Sequence, residues 1–266
     1  MANRSLRLCI APAVIFFAVF WLLPVSILVT LPASKGWETY FAVLVDSRYA
    51  MSLLNTLALS VSVTVITLLL GGAVGLYLAR NAFIGKSLLL SLLTLPLSFP
   101  GVIIGFFMIL MGGRQGLLAD LSEWSGLGRM SFAYGLTGLF LAYLYFSLPR
   151  AIASYAAAAQ AMDPALEEAA RSMGASRIRI LLDVWLPQLN HTTSACAAIV
   201  FATAMGAFGT AFTLASKFEV LPITIYSEFT NYANFPLAAS LSITLGLFTW
   251  LSLYIARRRT GLMVGT

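Results

Sequence analysis

AMSLLNTLALSVSVTVITLLLGGAVGLYLA, residues 50–79, is thirty residues long and carries no charge. A helix needs about 20 mostly apolar residues to cross the hydrocarbon core of a bilayer, so this stretch is long enough with a margin for tilt. The same criterion, applied outward along the chain, marks five more uncharged stretches: 8–34, 87–113, 130–149, 184–216 and 229–256. Composition agrees, with 60% hydrophobic and 10% charged residues among 266. A soluble domain carries about 25% charged residues, and a water-soluble globule of this size could not bury so much hydrocarbon. The fold class expected is an all-α membrane protein of six transmembrane helices. The net charge of +6 is spread between apolar runs, which argues against nucleic-acid binding.

Lys and Arg set the orientation. With the N-terminus inside, eleven of the sixteen basic residues collect on the cytoplasmic side: Arg4, Arg7, Arg80, Lys86, Arg150, Arg171, Arg177, Arg179, Arg257, Arg258 and Arg259. Lys35, Arg48, Arg114, Arg129 and Lys217 fall on the other side, together with most of the acidic residues. Both termini are expected in the cytoplasm. The first stretch exceeds the about 7–15 apolar residues of a signal peptide, and is expected to stay as an anchor.

No stretch contains Asp, Glu, Lys or Arg, whereas proton relays and ion pathways place such groups at mid-membrane. An ion-coupled secondary transporter is therefore disfavoured. Cys9 and Cys196 provide neither a disulfide framework nor metal-ligand spacing, and no metal site is expected. His191 is the only histidine, so the clusters that membrane proteases or lipid-modifying enzymes need are missing, and no catalytic residue is nominated. Gly71 with Gly75 and Gly101 with Gly105 form GxxxG pairs that suit close helix packing. Pro96 and Pro100 interrupt the third stretch and make it a candidate wall of a pathway. Thr203, Thr210 and Thr213 in the fifth stretch either line that pathway or hydrogen-bond between helices.

The loop between the fourth and fifth stretches, from Arg150 to about Pro187, is the most specific part of the chain. Asp163 precedes Pro164 as an N-cap before a proline at the first helical position. Glu167 and Glu168 follow where acidic groups suit the helix dipole, and Gly174 can end the helix in a left-handed cap. Ser176 can cap a second helix with Ile178, Leu181, Leu182 and Trp185 on one stripe, which Pro187 is expected to end. Two short helices meeting at a glycine form a knob suited to docking in a partner's cleft. The only approach to a phosphate-binding loop, Gly85-Lys86-Ser87, has Arg80 where the first glycine belongs, so any ATPase must be another polypeptide.

Glu168-Ala169-Ala170, then Gly174, Val184 and Leu186-Pro187 at their spacing, resemble the EAA signature of permease subunits of bacterial type I ABC importers. Valine stands where the family usually has isoleucine. The resemblance implies an N-terminal helix and periplasmic loop over 1–49, a five-helix permease core over 50–256 with the coupling loop at about 150–187, and a cytoplasmic tail over 257–266. It also implies a location in the bacterial cytoplasmic membrane and three protein partners: a cytoplasmic ATPase dimer that binds ATP and Mg, a second permease (a related subunit rather than a copy), and an external solute-binding protein. Glu168 would contact the ATPase, Ala169 and Ala170 would allow close approach, and Gly174 would make the bend.

Two segments, 162–176 and 221–227, are similar to polyamine-type permeases, implying spermidine or putrescine as solute. The wider subgroup leaves phosphonate, ferric iron or an oxyanion such as sulfate or molybdate as the alternative. A membrane scaffold, with the knob bound to some other partner, is the remaining competitor.

Overall fold

In a computed structural model, residues 12–215 and 218–259 are described, and they form helices with no strand among them. Arg4, Arg7, Cys9 and Lys217 lie outside the described residues. The stretch at 50–79 is the centre of α2 (Ser47–Arg80). Asp46 caps it, accepting a hydrogen bond from the Arg48 amide at 2.8 Å. Before it comes α1 (Pro12–Lys35), whose most apolar window is unburied.

After Arg80 the third stretch departs from expectation. It divides into α3 (Lys86–Ser98) and α4 (Gly101–Gly112), followed by α5 (Leu117–Trp124). Pro100 has no amide to donate, and the residue before a proline is driven out of the helical region. Phe99 accordingly takes φ −94° and ψ 134°.

The fourth stretch is displaced. Residues 130–135 are not helical, and α6 (Leu136–Gln160) runs straight through Pro149 and Arg150. The sequence after Arg150, AIASYAAAAQ, is rich in the best helix former, and one cation does not stop it. Arg150 is thus inside a helix and not at the head of a loop. The knob helix α7 (Pro164–Ser172) follows. Then α8 (Arg177–Met205) continues into a bend of 49° and α9 (Phe208–Leu214). Pro187 does not end the helix as expected. Leu181–Trp185 forms a π-turn, with the Leu186 amide bonded to the Leu181 carbonyl, and this extra residue lets the helix pass the proline ring. The chain closes with α10 (Leu221–Tyr226) and α11 (Phe235–Arg259). Five segments are long and apolar enough to span, namely α1, α2, α4 with α5 (Gly101–Trp124), α6 and α11, and a sixth results if α8 and α9 count as one bent crossing.

Packing centres on α2 against α6. A Cβ on Gly71 would sit 2.6 Å from the Ala151 Cβ, and one on Gly75 would sit 2.7 Å from the Tyr155 Cβ. The second GxxxG does the same for α4 on α9, where Gly101 would meet the Thr210 hydroxyl at 2.8 Å and Gly105 would overlap Thr213. The α8–α9 break leaves carbonyls without helical partners, and the buried Tyr143 hydroxyl donates to the Ala207 carbonyl at 2.8 Å. Such repair is what tolerates a break at membrane depth.

The polar ends separate cleanly. At one end Arg48 pairs with Glu219 at 3.1 Å, Tyr49 donates to the buried Glu228 at 3.0 Å, and Lys35 donates to Asn234 at 2.7 Å. At the other end Arg80 meets the knob.

Candidate functional site

The knob is fixed to the body through Glu167. Its carboxylate accepts from Arg171 at 2.7 Å and from the Trp185 indole at 3.3 Å, and pairs with Arg80 at 3.3 Å. Arg80 also stacks over the Trp185 ring, 5.2 Å from its centroid. A single carboxylate therefore ties α7, α8 and the end of α2 together. Charge-assisted contacts to a half-shielded group are stronger than ordinary surface pairs.

The caps form as the sequence implies. Asp163 accepts from the Ala165 amide at 2.9 Å, and Ser176 accepts from the Arg179 amide at 3.4 Å. Gly174 has φ +77°. The Ala175 amide reaches the Ala170 carbonyl at 3.0 Å and the Gly174 amide reaches that of Arg171 at 2.9 Å. This is a Schellman closure, and it needs the left-handed residue. An added Cβ would touch nothing within 4 Å, so conformation alone demands glycine here.

Ala170 is buried against the body, whereas Glu168 and Ala169 face outward, and among the described residues the Glu168 side chain has no ion pair. Met173 is 82% exposed and Ile178 71% exposed. Ile178 was expected on the inward stripe of the second helix; Ile180 is buried in its place. Leu182 is exposed with Ile178, while Leu181 and Trp185 are half-buried, so the expected stripe divides between the two sides. Val184 is half-buried, while Leu186 and Pro187 lie exposed on α8. The knob thus leaves Glu168, Ala169, Met173 and Ile178 exposed to a partner or solvent.

A second site lies within the membrane-spanning region. Pro96, Phe99, Arg150, Thr203 and Thr210 line a cavity of about 390 Å³ at the α8–α9 break. Of the pathway candidates, Pro96, Thr203 and Thr210 come together here. Pro100 shapes the cavity from the adjacent break but is not among its lining residues. Thr213 is not among its lining residues; its hydroxyl bonds within α9 to the Thr210 carbonyl at 2.9 Å and it packs on Gly105, whereas Thr210 makes the bond between helices, donating to the Gly101 carbonyl of α4 at 3.0 Å. Arg150, which the sequence placed in a loop, is the one ionisable residue among the described lining residues. It lies ten residues before the end of α6, or about 15 Å up a helix. Its side chain is exposed and opens on the cavity. Among the described residues no three His, Cys, Asp or Glu side chains could hold a metal ion.

The family model described as binding-protein-dependent transport system inner membrane component matches residues 71–260. The chain belongs to this family. The permease is 28% identical over 261 residues to the sulfate transport system permease protein CysW of Synechocystis sp., covering 96% of this chain and 93% of that one. It is 32% identical over 197 residues to the molybdenum transport system permease protein ModB of Escherichia coli, covering 69% and 84%. In fold, the permease matches a bacterial ABC transporter involved in import of the acidic polysaccharide alginate. The TM-score is 0.84 at 18% identity, over 99% of this chain and 97% of that one. The protein is a multi-pass inner-membrane permease subunit of an ABC importer.

Proposed function

We propose that this permease forms half of the path of an importer for a small oxyanion of the sulfate or molybdate kind. The observation that carries the solute class is the similarity to CysW along 96% of the chain, joined by ModB along 69%. Those relatives replace the polyamine expectation. Of the two segments that suggested spermidine or putrescine, 162–176 is the knob described above, and Leu221–Ser227 contains α10, whose Leu221, Pro222 and Thr224 are buried. Its Leu221 amide donates to Thr56 at 2.7 Å, so the segment serves packing on α2 and need not meet solute. Phosphonate and ferric iron give way on the same ground.

In this reading the knob faces the cytoplasm and seats in a groove of an ATPase subunit. Glu168, Ala169, Met173 and Ile178 make the contact, and Gly174 sets the angle between the two helices. ATP binding with Mg closes the ATPase dimer. The movement passes through Glu167, Arg80 and Trp185 into α2 and α8, turning this permease and a second, related one from inward- to outward-facing. An external binding protein delivers the solute. The test is uptake of labelled sulfate and molybdate by cells with and without the gene, with labelled spermidine in parallel. Oxyanion uptake that needs the gene is expected; dependence of spermidine uptake alone would overturn the assignment.

A further inference from the structure

We infer that Arg150 and Thr203 form an anion-binding station on the translocation path, where the solute exchanges part of its water shell for protein donors. This rests on the oxyanion reading and names the residues that meet the anion.

The hydrogen-bond inventory carries it. A guanidinium has five N–H donors and no acceptor. Within hydrogen-bond distance of Arg150 the described residues offer one side-chain acceptor, the Thr203 hydroxyl at 3.4 Å. Thr203 in turn donates its own proton to the Ile199 carbonyl at 2.7 Å, which leaves its lone pairs directed to the guanidinium and fixes the hydroxyl. No described carboxylate lies within 4.0 Å of Arg150; Arg48, Arg80, Arg129, Arg171 and Arg179 all have one, and Arg114 and Arg177, which also lack one among the described residues, do not line this cavity. The remaining donors open on the cavity of about 390 Å³, far more than the about 30 Å³ that a water takes in the liquid, so an anion fits with part of its shell. Planar donor forks suit two oxygens of a tetrahedral oxyanion. Partial occupation of the donors by a neutral hydroxyl favours a weak station, as passage requires. A buried carboxylate partner would neutralise the site, and a polyamine cation would be repelled.

The test uses the full importer in its native membrane and labelled sulfate and molybdate as probes. Arg150→Gln should lower uptake of both by about tenfold, the size of one charge-assisted contact, with the amount of permease in the membrane unchanged. Arg150→Lys keeps the charge and should recover most of the uptake. Arg150→Cys, in a background with Cys9 and Cys196 replaced by alanine, should be revived by a thiol reagent that adds an ammonium and not by one that adds a sulfonate. Wild-type uptake in Arg150→Gln would overturn the station. So would equal loss in the Lys and Gln variants with no revival by the cationic reagent, since that marks a purely structural arginine. If the unaltered importer carries neither anion, the oxyanion reading itself fails, and the two failures are thereby told apart.

Discussion

Glu167 and Arg150 both fall in what the sequence marks as one cytoplasmic loop, yet the structure puts them to opposite uses. Glu167, 13% exposed at its side chain, is met by two arginines and an indole and holds the knob to the body. Arg150 is surrounded by space, with one hydroxyl beside it. A charge whose partners are all supplied by its own chain is a structural tie. One left largely unpartnered beside a cavity is, in the proposal above, held for an anion that arrives. Within the knob the same division separates neighbours, since Glu167 is tied inward while Glu168 is exposed and unpaired among the described residues.

Replacing Glu167 by Ala should have the largest effect on stability. It leaves Arg80 and Trp185 without their acceptor, and contacts to a charged group are worth about 1.5–3 kcal/mol. Thermal unfolding of the purified importer should shift down, and protease should cut the 161–185 segment faster. Unchanged unfolding would show that the tie is incidental.

Gly174→Ala comes next. The φ of +77° costs an L-residue about 1–2 kcal/mol, and with nothing within 4 Å to clash the loss is conformational. ATP hydrolysis should continue while solute moved per ATP falls, measured side by side in proteoliposomes. Gly174→Asn should be milder than Gly174→Ala, because Asn tolerates the left-handed region. The reverse order would contradict a left-handed requirement.

Thr203→Val should follow, with stability within about 0.5 kcal/mol and uptake lowered a few-fold through a less oriented Arg150. An unaltered rate would mean that the hydroxyl does not position the guanidinium. Glu168→Lys should change stability least of all, since its side chain is exposed and unpaired, yet it should weaken association with the ATPase in detergent pull-downs. Loss of stability with intact association would invert the comparison between the two glutamates.

The residues that the sequence made legible are those whose roles are local. Asp163 before Pro164, Gly174 and Ser176 act through backbone geometry within a few positions, and each sits as its spacing implies. The two GxxxG pairs also pack as expected, because a glycine's use in close approach is visible from periodicity alone. What escaped depends on surroundings. A charge was taken to end a helix and begin a loop at Arg150, whereas α6 continues ten residues beyond it, and the cavity beside it arises only from the packing of separate helices. Pro187 was expected to break a helix, but a π-turn one residue longer absorbs it. Ile178 lies exposed two residues before the buried Ile180, because the body packs on one side of a stripe that periodicity alone drew too wide. The two-proline segment at Pro96 and Pro100 signalled a break, though not that it would divide the stretch into two separate helices.

Labelling of a cysteine at position 168 examines the force hand-over most directly. With Cys9 and Cys196 replaced by alanine, Glu168→Cys is treated in intact cells and in inside-out vesicles with a membrane-impermeant maleimide, and in membranes with a short bifunctional cross-linker. The thiol should be shielded in cells, reactive in inside-out vesicles stripped of the ATPase, and cross-linked to the ATPase subunit when it is present. Labelling from outside intact cells, or no cross-link to any ATPase, would contradict the docking of this knob on a cytoplasmic motor.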